Sequence, residues 1–364
     1  MHAAADLEHM ARALELARRG LYTTTPNPRV GCVLVKDGGV IGEGWHERAG
    51  EAHAEVRALE DANRRGEPTR GSTAYVTLEP CNHVGRTGPC TEALMAAGIA
   101  QVIVAMPDPH PAARHGAQRL REAGMRVDMG VMEQEARALN RGFISRIERG
   151  RPWVRMKAAA SLDGRTALAS GESQWITGPE ARRDGHHWRA QACAILTGIG
   201  TVRTDDPQLT VRDVPTARQP LRIVVDRNAE TPRDARVLSD HSRTLIVTAG
   251  ARNPRWPAHV EVLAVPDVEG RIDLRALMRE LAAREANEIH VEAGAGLNGA
   301  LLQARLVDEV LLYLAPCFLG EPARGIADFG SGLASLDERI ALEVDDVTRI
   351  GGDLRIIAHM KEAA

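Results

Sequence analysis

The sequence predicts an α/β protein of two domains, and three observations carry that expectation. Short β-branched runs alternate with stretches of helical periodicity, the pattern of sheets covered by helices. At 364 residues the chain is long enough to bury two separate cores. The charged run RIERGR at residues 146–151, followed by Pro152, separates two unrelated sets of motifs. The expected domains are residues 1–148 and 149–364.

Composition narrows the function classes. With 44% hydrophobic and 26% charged residues, the chain reads as an ordinary water-soluble protein. A net charge of −3 supplies no basic field for nucleic acid or an anionic membrane, and aromatics at 3% offer few stacking platforms for bases. No run approaches the roughly 20 apolar residues of a membrane span, and the N-terminus lacks the apolar core of a secretory signal. The expected setting is the reducing cytoplasm, where five cysteines stay free to bind metal.

In the first half, Leu7, Met10, Leu14, Ala17 and Leu21 recur at helical spacing, so residues 5–19 open the chain as an amphipathic helix ended by Gly20. Two prolines in Thr25-Pro26-Asn27-Pro28 forbid helix and fix a polar loop. A buried strand over 30–35, a turn at 36–39 and a return strand over 40–45 form a hairpin that delivers His46. A helix over 53–64 places His53 and Glu55 in its first turn. The strand over 73–78 ends at Glu79-Pro80-Cys81, and Cys90 opens a helix over 91–97, where the helix end favours thiolate. Two strand–helix units follow, 101–105 with 113–123 and 126–129 with 133–147, which completes a three-layer α/β/α sandwich.

His53, Cys81 and Cys90 make a zinc set of one imidazole and two thiolates, leaving a fourth tetrahedral position for water. Glu55, two residues from the histidine and not a ligand, is placed to take a proton from that water. This order of residues is that of the zinc deaminases, with Glu55 as the catalytic proton shuttle in the hydrolysis of an amidine-like heterocycle. A closed structural site needs a fourth protein ligand. Cys32 lies in an apolar strand and reads as core; His83 is the other candidate.

TPNPRVG (25–31), GWH (44–46), HAE (53–55) and PCNHVGRTGPC (80–90) together resemble the bifunctional riboflavin-biosynthesis deaminase–reductases. Eight residues between the cysteines, carrying His83, Gly85, Arg86 and Thr87, are a feature of that family and separate it from cytidine and tRNA-adenosine deaminases. The resemblance implies a cytidine-deaminase-like first domain in which Asn27, His46, His83 and Arg86 contact substrate. Other readings stay open: a turn cap for Asn27, support of the metal ligands for His46 and His83, a solvated charge for Arg86. Gly88 and His110 stand where the family usually has proline and asparagine.

In the second half, strands are expected over 153–159, 194–197, 221–226, 244–248, 260–265 and 289–292, with helices over 179–191 and 273–284. Residues 171–177 and 198–207 read as polar loops. After the last strand, Gly294-Ala295-Gly296-Leu297-Asn298-Gly299 matches the dinucleotide fingerprint. It stands near the C-terminus without orderly βαβ units before it, so it reads as a nucleotide loop outside a Rossmann fold. Small residues there let backbone amides and a helix N-terminus approach a pyrophosphate; a tight structural turn is the alternative.

KAAASLDGRT (157–166), SGESQWIT (170–177), TGIGTV (197–202), DDPQLTVR (205–212) and VEAGAGLNGALL (291–302) are similar to the reductase half of the same family. That implies a dihydrofolate-reductase-like fold using NADPH. Ala159, Trp175, Thr201, Asp205 and the loop Gly294, Ala295, Gly296, Leu297, Asn298, Gly299 and Ala300 match its NADP contacts. Ser173, Arg189, Leu209, Arg212 and Glu292 match substrate contacts, although Trp175 also suits a core position and Arg189 the polar face of its helix.

The resemblance thus implies deamination of 2,5-diamino-6-ribosylamino-pyrimidinone 5′-phosphate with one zinc per chain, then NADPH-dependent reduction of ribosyl to ribityl, in a homo-oligomer. The rivals are a deaminase acting on another nucleotide or a tRNA base with a silent second domain, and a non-catalytic zinc module.

Overall fold

Small residues decide how closely helices sit on the sheets in the computed structural model, which describes residues 3–83, 88–111, 113–250 and 256–361. The chain forms two units, Met1–Gly150 and Arg151–Ala364.

The first unit contains α1 (Ala4–Arg18), β1 (Gly31–Lys36), β2 (Gly39–Trp45), α2 (Ala54–Arg64), β3 (Thr73–Val76), α3 (Cys90–Ala96), β4 (Gln101–Val104), α4 (Gly116–Glu122), β5 (Arg126–Met129), α5 (Glu133–Leu139) and α6 (Arg141–Arg149). Its sheet runs β2-β1-β3-β4-β5. β1 runs antiparallel to both its neighbours, β2 and β3, while β3, β4 and β5 are parallel to one another. Cys32, Val33 and Leu34 of β1 are fully buried in its core.

Helix α2 lies hard against the hairpin. A Cβ at Gly44 would stand 2.4 Å from the Ala58 nitrogen and 2.5 Å from the Ala54 carbonyl; one at Gly42 would stand 2.4 Å from the Ala58 carbonyl. Glycines on the strand and buried alanines at 54, 58 and 62 on the helix leave backbone against backbone. That contact sets the depth of the α2 N-terminus, next to which His53 stands.

The single helix expected over 133–147 is instead two, α5 and α6. Asn140 between them leaves helical geometry (φ −110°, ψ 18°), and its buried side chain pairs with the main chain of Arg29 in both directions, at 2.8 and 3.0 Å. A side-chain amide that satisfies a distant backbone competes with helix continuity, a long-range partnership that local periodicity does not register.

The second unit contains β6 (Trp153–Ser161), β7 (Arg165–Ala167), α7 (Pro179–Gln191), β8 (Ala194–Gly198), α8 (Ile199–Asp205), β9 (Leu221–Val225), β10 (Thr244–Thr248), β11 (Val260–Ala264), α9 (Leu274–Ala283), β12 (Glu288–Val291), α10 (Ala295–Gln303), β13 (Glu309–Ala315), β14 (Arg324–Gly325), β15 (Leu342–Ile350) and β16 (Asp353–Met360). Nine strands run β11-β10-β9-β8-β12-β6-β13-β16-β15. All are parallel up to β13; β16 and β15 close the edge antiparallel. Late-sequence β12 is inserted between β8 and β6, which separates this sheet from Rossmann strand order. Residues 199–205, expected as loop, are helical because Ile199 and the buried Val202 pack on the sheet; Gly198 before the helix and Gly200 inside it hid this in the sequence.

Adding a methyl group at the α2 contact tests that packing. Gly44→Ala is expected to cost about 1–3 kcal/mol in urea unfolding and to lower the zinc retained per chain, because α2 must back away from the sheet and carry His53 with it.

Candidate functional site

His53 is the residue just before α2, with extended backbone (φ −74°, ψ 166°), while Glu55 lies inside the helix. This half-in position, rather than the first turn expected for both, lets the imidazole and the carboxylate approach one point from different sides. Cys81 follows β3 and Cys90 is the first residue of α3. His53 Nδ1 lies 3.2 Å from Cys90 Sγ and 3.5 Å from Cys81 Sγ. Tetrahedral zinc with ordinary bond lengths sets nitrogen and sulfur ligands about 3.5 Å apart. Among the described residues, only this group of His, Cys, Asp and Glu brings its ligand atoms within 4.8 Å of one another. The donor set fits zinc.

Burial shapes the chemistry here. Cys90 and Glu55 are buried, and burial, then the negative Cys81, pushes the Glu55 carboxyl up to about 7. Hydrogen bonding from Cys90 pulls the Cys81 thiol down to about 4, and the Cys90 N–H also donates to Cys81 Sγ at 3.4 Å. Cys32 packs in the core outside the ligand group.

His46 stands edge-on to His53, with ring centroids 5.3 Å apart. Its Nδ1 faces the Ala52 carbonyl at 3.2 Å, so that nitrogen carries the proton, and Nε2 accepts from the Asn27 amide at 3.0 Å. The polar loop and the hairpin end are therefore joined beside the candidate metal ligands. His83 is exposed and does not belong to the ligand group. Arg86 lies outside the described residues.

Sequence reasoning missed Asp108 as a site residue. It is buried after β4, its carboxyl is raised to about 6, chiefly by burial, and its charge acts on both Cys81 and His53. Its main-chain N–H is held by Glu79 at 3.2 Å. Aspartate before proline at a strand end was the available signal.

The second unit has a cleft of about 1070 Å³ at the C-terminal ends of β6, β8 and β12. Ala159, Ser173, Trp175, Arg189, Thr201, Asp205, Leu209, Arg212 and Glu292 all line it, as do residues 294–298. Gly299 and Ala300 do not. Gly299 is instead a packing glycine, where a Cβ would meet the Asp328 carbonyl at 1.8 Å. Asn298 spends its amide on the carbonyls of Ala293 (3.2 Å) and Ile326 (2.9 Å).

Glu292 receives Arg189 bidentately, at 2.5 Å from Nε and 2.8 Å from Nη2. Burial opposes its ionisation, but Arg189, with His290 and Lys157, outweighs that and holds the carboxyl well below its ordinary value. Lys157, another residue the sequence reading passed over, lines the cleft, and burial lowers its pKa. Ser173 donates to Asp205 at 3.2 Å. Trp175 is 68% exposed with the Arg182 guanidinium 4.5 Å from its ring centre, which rules out a core role. The N-terminus of α10 and the cleft arginines 182, 212, 236 and 324 suit a ligand bearing several phosphates. The volume and charge fit a dinucleotide beside a smaller phosphoester.

Known proteins agree over both units. Residues 4–106 match the family model of the cytidine and deoxycytidylate deaminase zinc-binding region, and residues 152–356 match that of the RibD C-terminal domain. Riboflavin biosynthesis protein RibD of Escherichia coli is 49% identical over 96% of this chain and 98% of its own length. The structure of Acinetobacter baumannii RibD superposes with a TM-score of 0.90 at 42% identity, covering 98% of this chain and 99% of its own. A Thermotoga maritima diaminohydroxyphosphoribosylaminopyrimidine deaminase/5-amino-6-(5-phosphoribosylamino)uracil reductase gives 0.90 at 34% identity, with the same coverage.

Removing Arg189 takes from the half-buried Glu292 carboxylate its principal partner. Arg189→Ala is expected to cost about 3 kcal/mol or more in urea unfolding, and Arg189→Ala with Glu292→Gln is expected to recover part of that loss.

Proposed function

The chain belongs to the RibD family of riboflavin-biosynthesis proteins, and from that premise we propose how its two units divide the work. It is a bifunctional enzyme that deaminates the diamino-pyrimidine ribotide and reduces the resulting aminouracil ribotide, using zinc and NADPH. Residues 1–148 carry the deaminase and 149–364 the reductase in this reading.

His53, Cys81 and Cys90 would hold the zinc, which when bound would supply a water acidified for attack. Glu55 removes a proton from the attacking water and delivers protons to the departing amine, so that water oxygen replaces nitrogen and ammonia leaves. Its burial keeps bulk water from competing for those protons. His46 holds the Asn27 amide, whose oxygen is left to accept from the pyrimidine, and His83 and Arg86 serve the ribose phosphate. The observation that carries the deaminase reading is the convergence of three metal-donor atoms within 4.8 Å beside the buried Glu55.

NADPH supplies the hydride that turns the ribosyl chain into ribityl. The chain's own part is orientation: the N-terminus of α10 and Thr201 meet the dinucleotide phosphates, Ala159, Trp175 and Asp205 its nicotinamide and ribose parts, and Ser173, Leu209, Arg212 and Glu292 the pyrimidine ribotide. Arg189 aligns Glu292 and adds charge for the phosphate.

The substrate is a free small molecule, not nucleic acid, consistent with the net charge of −3, and no helix among the described residues is long and apolar enough to cross a membrane. Thiols at the metal site fit a reducing cytoplasm. We place homo-oligomer contacts at edge strand β15, whose Val344 and Val347 are each 57% exposed.

Supplied with the diamino ribotide, the wild type is expected to release ammonia and then consume NADPH. Glu55→Gln is expected to keep its zinc, to release ammonia at least about 100-fold more slowly, and still to oxidise NADPH when given the aminouracil ribotide. Ammonia without NADPH loss in the wild type would leave the second unit silent. For assembly, Val347→Glu is expected to reduce the light-scattering mass; an unchanged mass would move the contact elsewhere.

A further inference from the structure

One segment of the reductase cleft has its main chain held by side chains rather than by a strand or helix. Leu209, at its start, has φ +51°, a left-handed backbone that a leucine adopts only when its surroundings impose it. The Thr210 carbonyl accepts from Arg189 Nη1 at 3.1 Å. Val211 is bracketed by Gln219, which accepts its N–H at 2.8 Å and donates to its carbonyl at 3.0 Å. The Arg212 N–H donates to His186 Nδ1 at 3.3 Å. The other ring nitrogen, Nε2, stands 3.5 Å from the Asp213 carboxylate. His186 therefore grips two consecutive residues with its two nitrogens.

The protonation state follows from that geometry. Nδ1 accepts, so the ring proton sits on Nε2 and faces Asp213. The imidazole is 6% exposed, and burial, then the Arg189 charge, holds its pKa down at about 4. It stays neutral and able to accept throughout the neutral range. On packing grounds alone an apolar side chain would fill this position without the cost of a buried polar ring. His186 shares α7 with Arg189, one turn away, so one helix pins the segment at two points.

We propose that His186 is a positioning residue for the substrate end of the reductase cleft. By taking the Arg212 N–H it fixes the direction from which the Arg212 guanidinium meets the phosphate of the pyrimidine ribotide, and so sets affinity for that substrate rather than for the dinucleotide. The inference rests on Arg212 being a substrate contact, as read above.

The test is steady-state NADPH oxidation by the full chain with 5-amino-6-(5-phosphoribosylamino)uracil, with kcat and the KM for NADPH on the same preparations as the check that the second unit is folded. His186→Leu is expected to raise KM for the aminouracil ribotide about five- to tenfold, the range of one lost hydrogen bond, with kcat and the KM for NADPH unchanged. His186→Asn, whose side-chain carbonyl takes the place of Nδ1, is expected to restore KM to within about twofold. If the leucine variant does not fold, His186→Gln replaces it, because its amide reaches the Nε2 position and leaves the Arg212 N–H without an acceptor. An unchanged KM for the ribotide in Leu or Gln, an equal rise in the KM for NADPH, or failure of Asn to restore binding overturns the proposal. Arg212→Gln separates the two layers of inference. If it leaves KM unchanged, the reading of Arg212 falls; if it raises KM while the His186 variants do not, only the positioning role falls.

Discussion

The start of a helix leaves main-chain N–H groups without helical partners, and both sites of this protein are built at such starts. In the first unit His53 precedes α2 and Cys90 opens α3, while Cys81 sits in the chain leaving β3. The Cys90 N–H donates to Cys81 Sγ, so a backbone group left over by the helix start helps stabilise a thiolate. In the second unit Glu292 and Gly294 lie between β12 and α10, and the same unsatisfied amides face the cleft. Where parallel strands run side by side, these handovers gather at one edge of the sheet.

The handovers need depth as well as direction. Glycine against alanine between β2 and α2 brings helix and sheet to backbone contact, and only then does His53 reach the two cysteines. The second unit achieves registry by charge. Arg155 on β6 is buried between Glu288 of β12 and Glu309 of β13, and its guanidinium lies 4.4 Å from the ring centre of Trp188 on α7. Next to Trp188 in sequence, Arg189 reaches Glu292. Buried ion pairs of this kind return little net stability, because desolvation offsets most of their attraction. Their value here is that α7 has one register over the sheet, which brings His186 and Arg189 to the cleft wall.

The candidate metal ligands were legible because their chemistry is local: an imidazole followed two residues later by a carboxylate that is not itself a ligand, and two cysteines each preceded by proline. Most strands and helices of both units were legible too, since alternation and helical periodicity are short-range signals. The failures share a cause. Asn140 ends α5 by serving Arg29, more than a hundred residues away. Helix α8 was hidden by Gly198 and Gly200, because the helix around Gly200 depends on Val202 packing against the sheet. Gly299 looked like part of a nucleotide loop and turned out to face the Asp328 backbone, while Asp108, Lys157 and His186 acquire their surroundings only from strands and helices distant in sequence.

By itself the sequence pointed to His53, Cys81 and Cys90 as a candidate zinc donor set with Glu55 beside them, to the two-part α/β architecture and to the family to which the chain belongs. These depend on residue type and spacing. Tertiary structure alone decided which residues share a cleft, how deep Glu55 is buried, which nitrogen of His46 and of His186 carries a proton, and which fingerprint residues do not line the cleft. Burial and hydrogen-bond partnership are properties of the packed chain, because desolvation and partner geometry come from atoms that the local sequence does not contain.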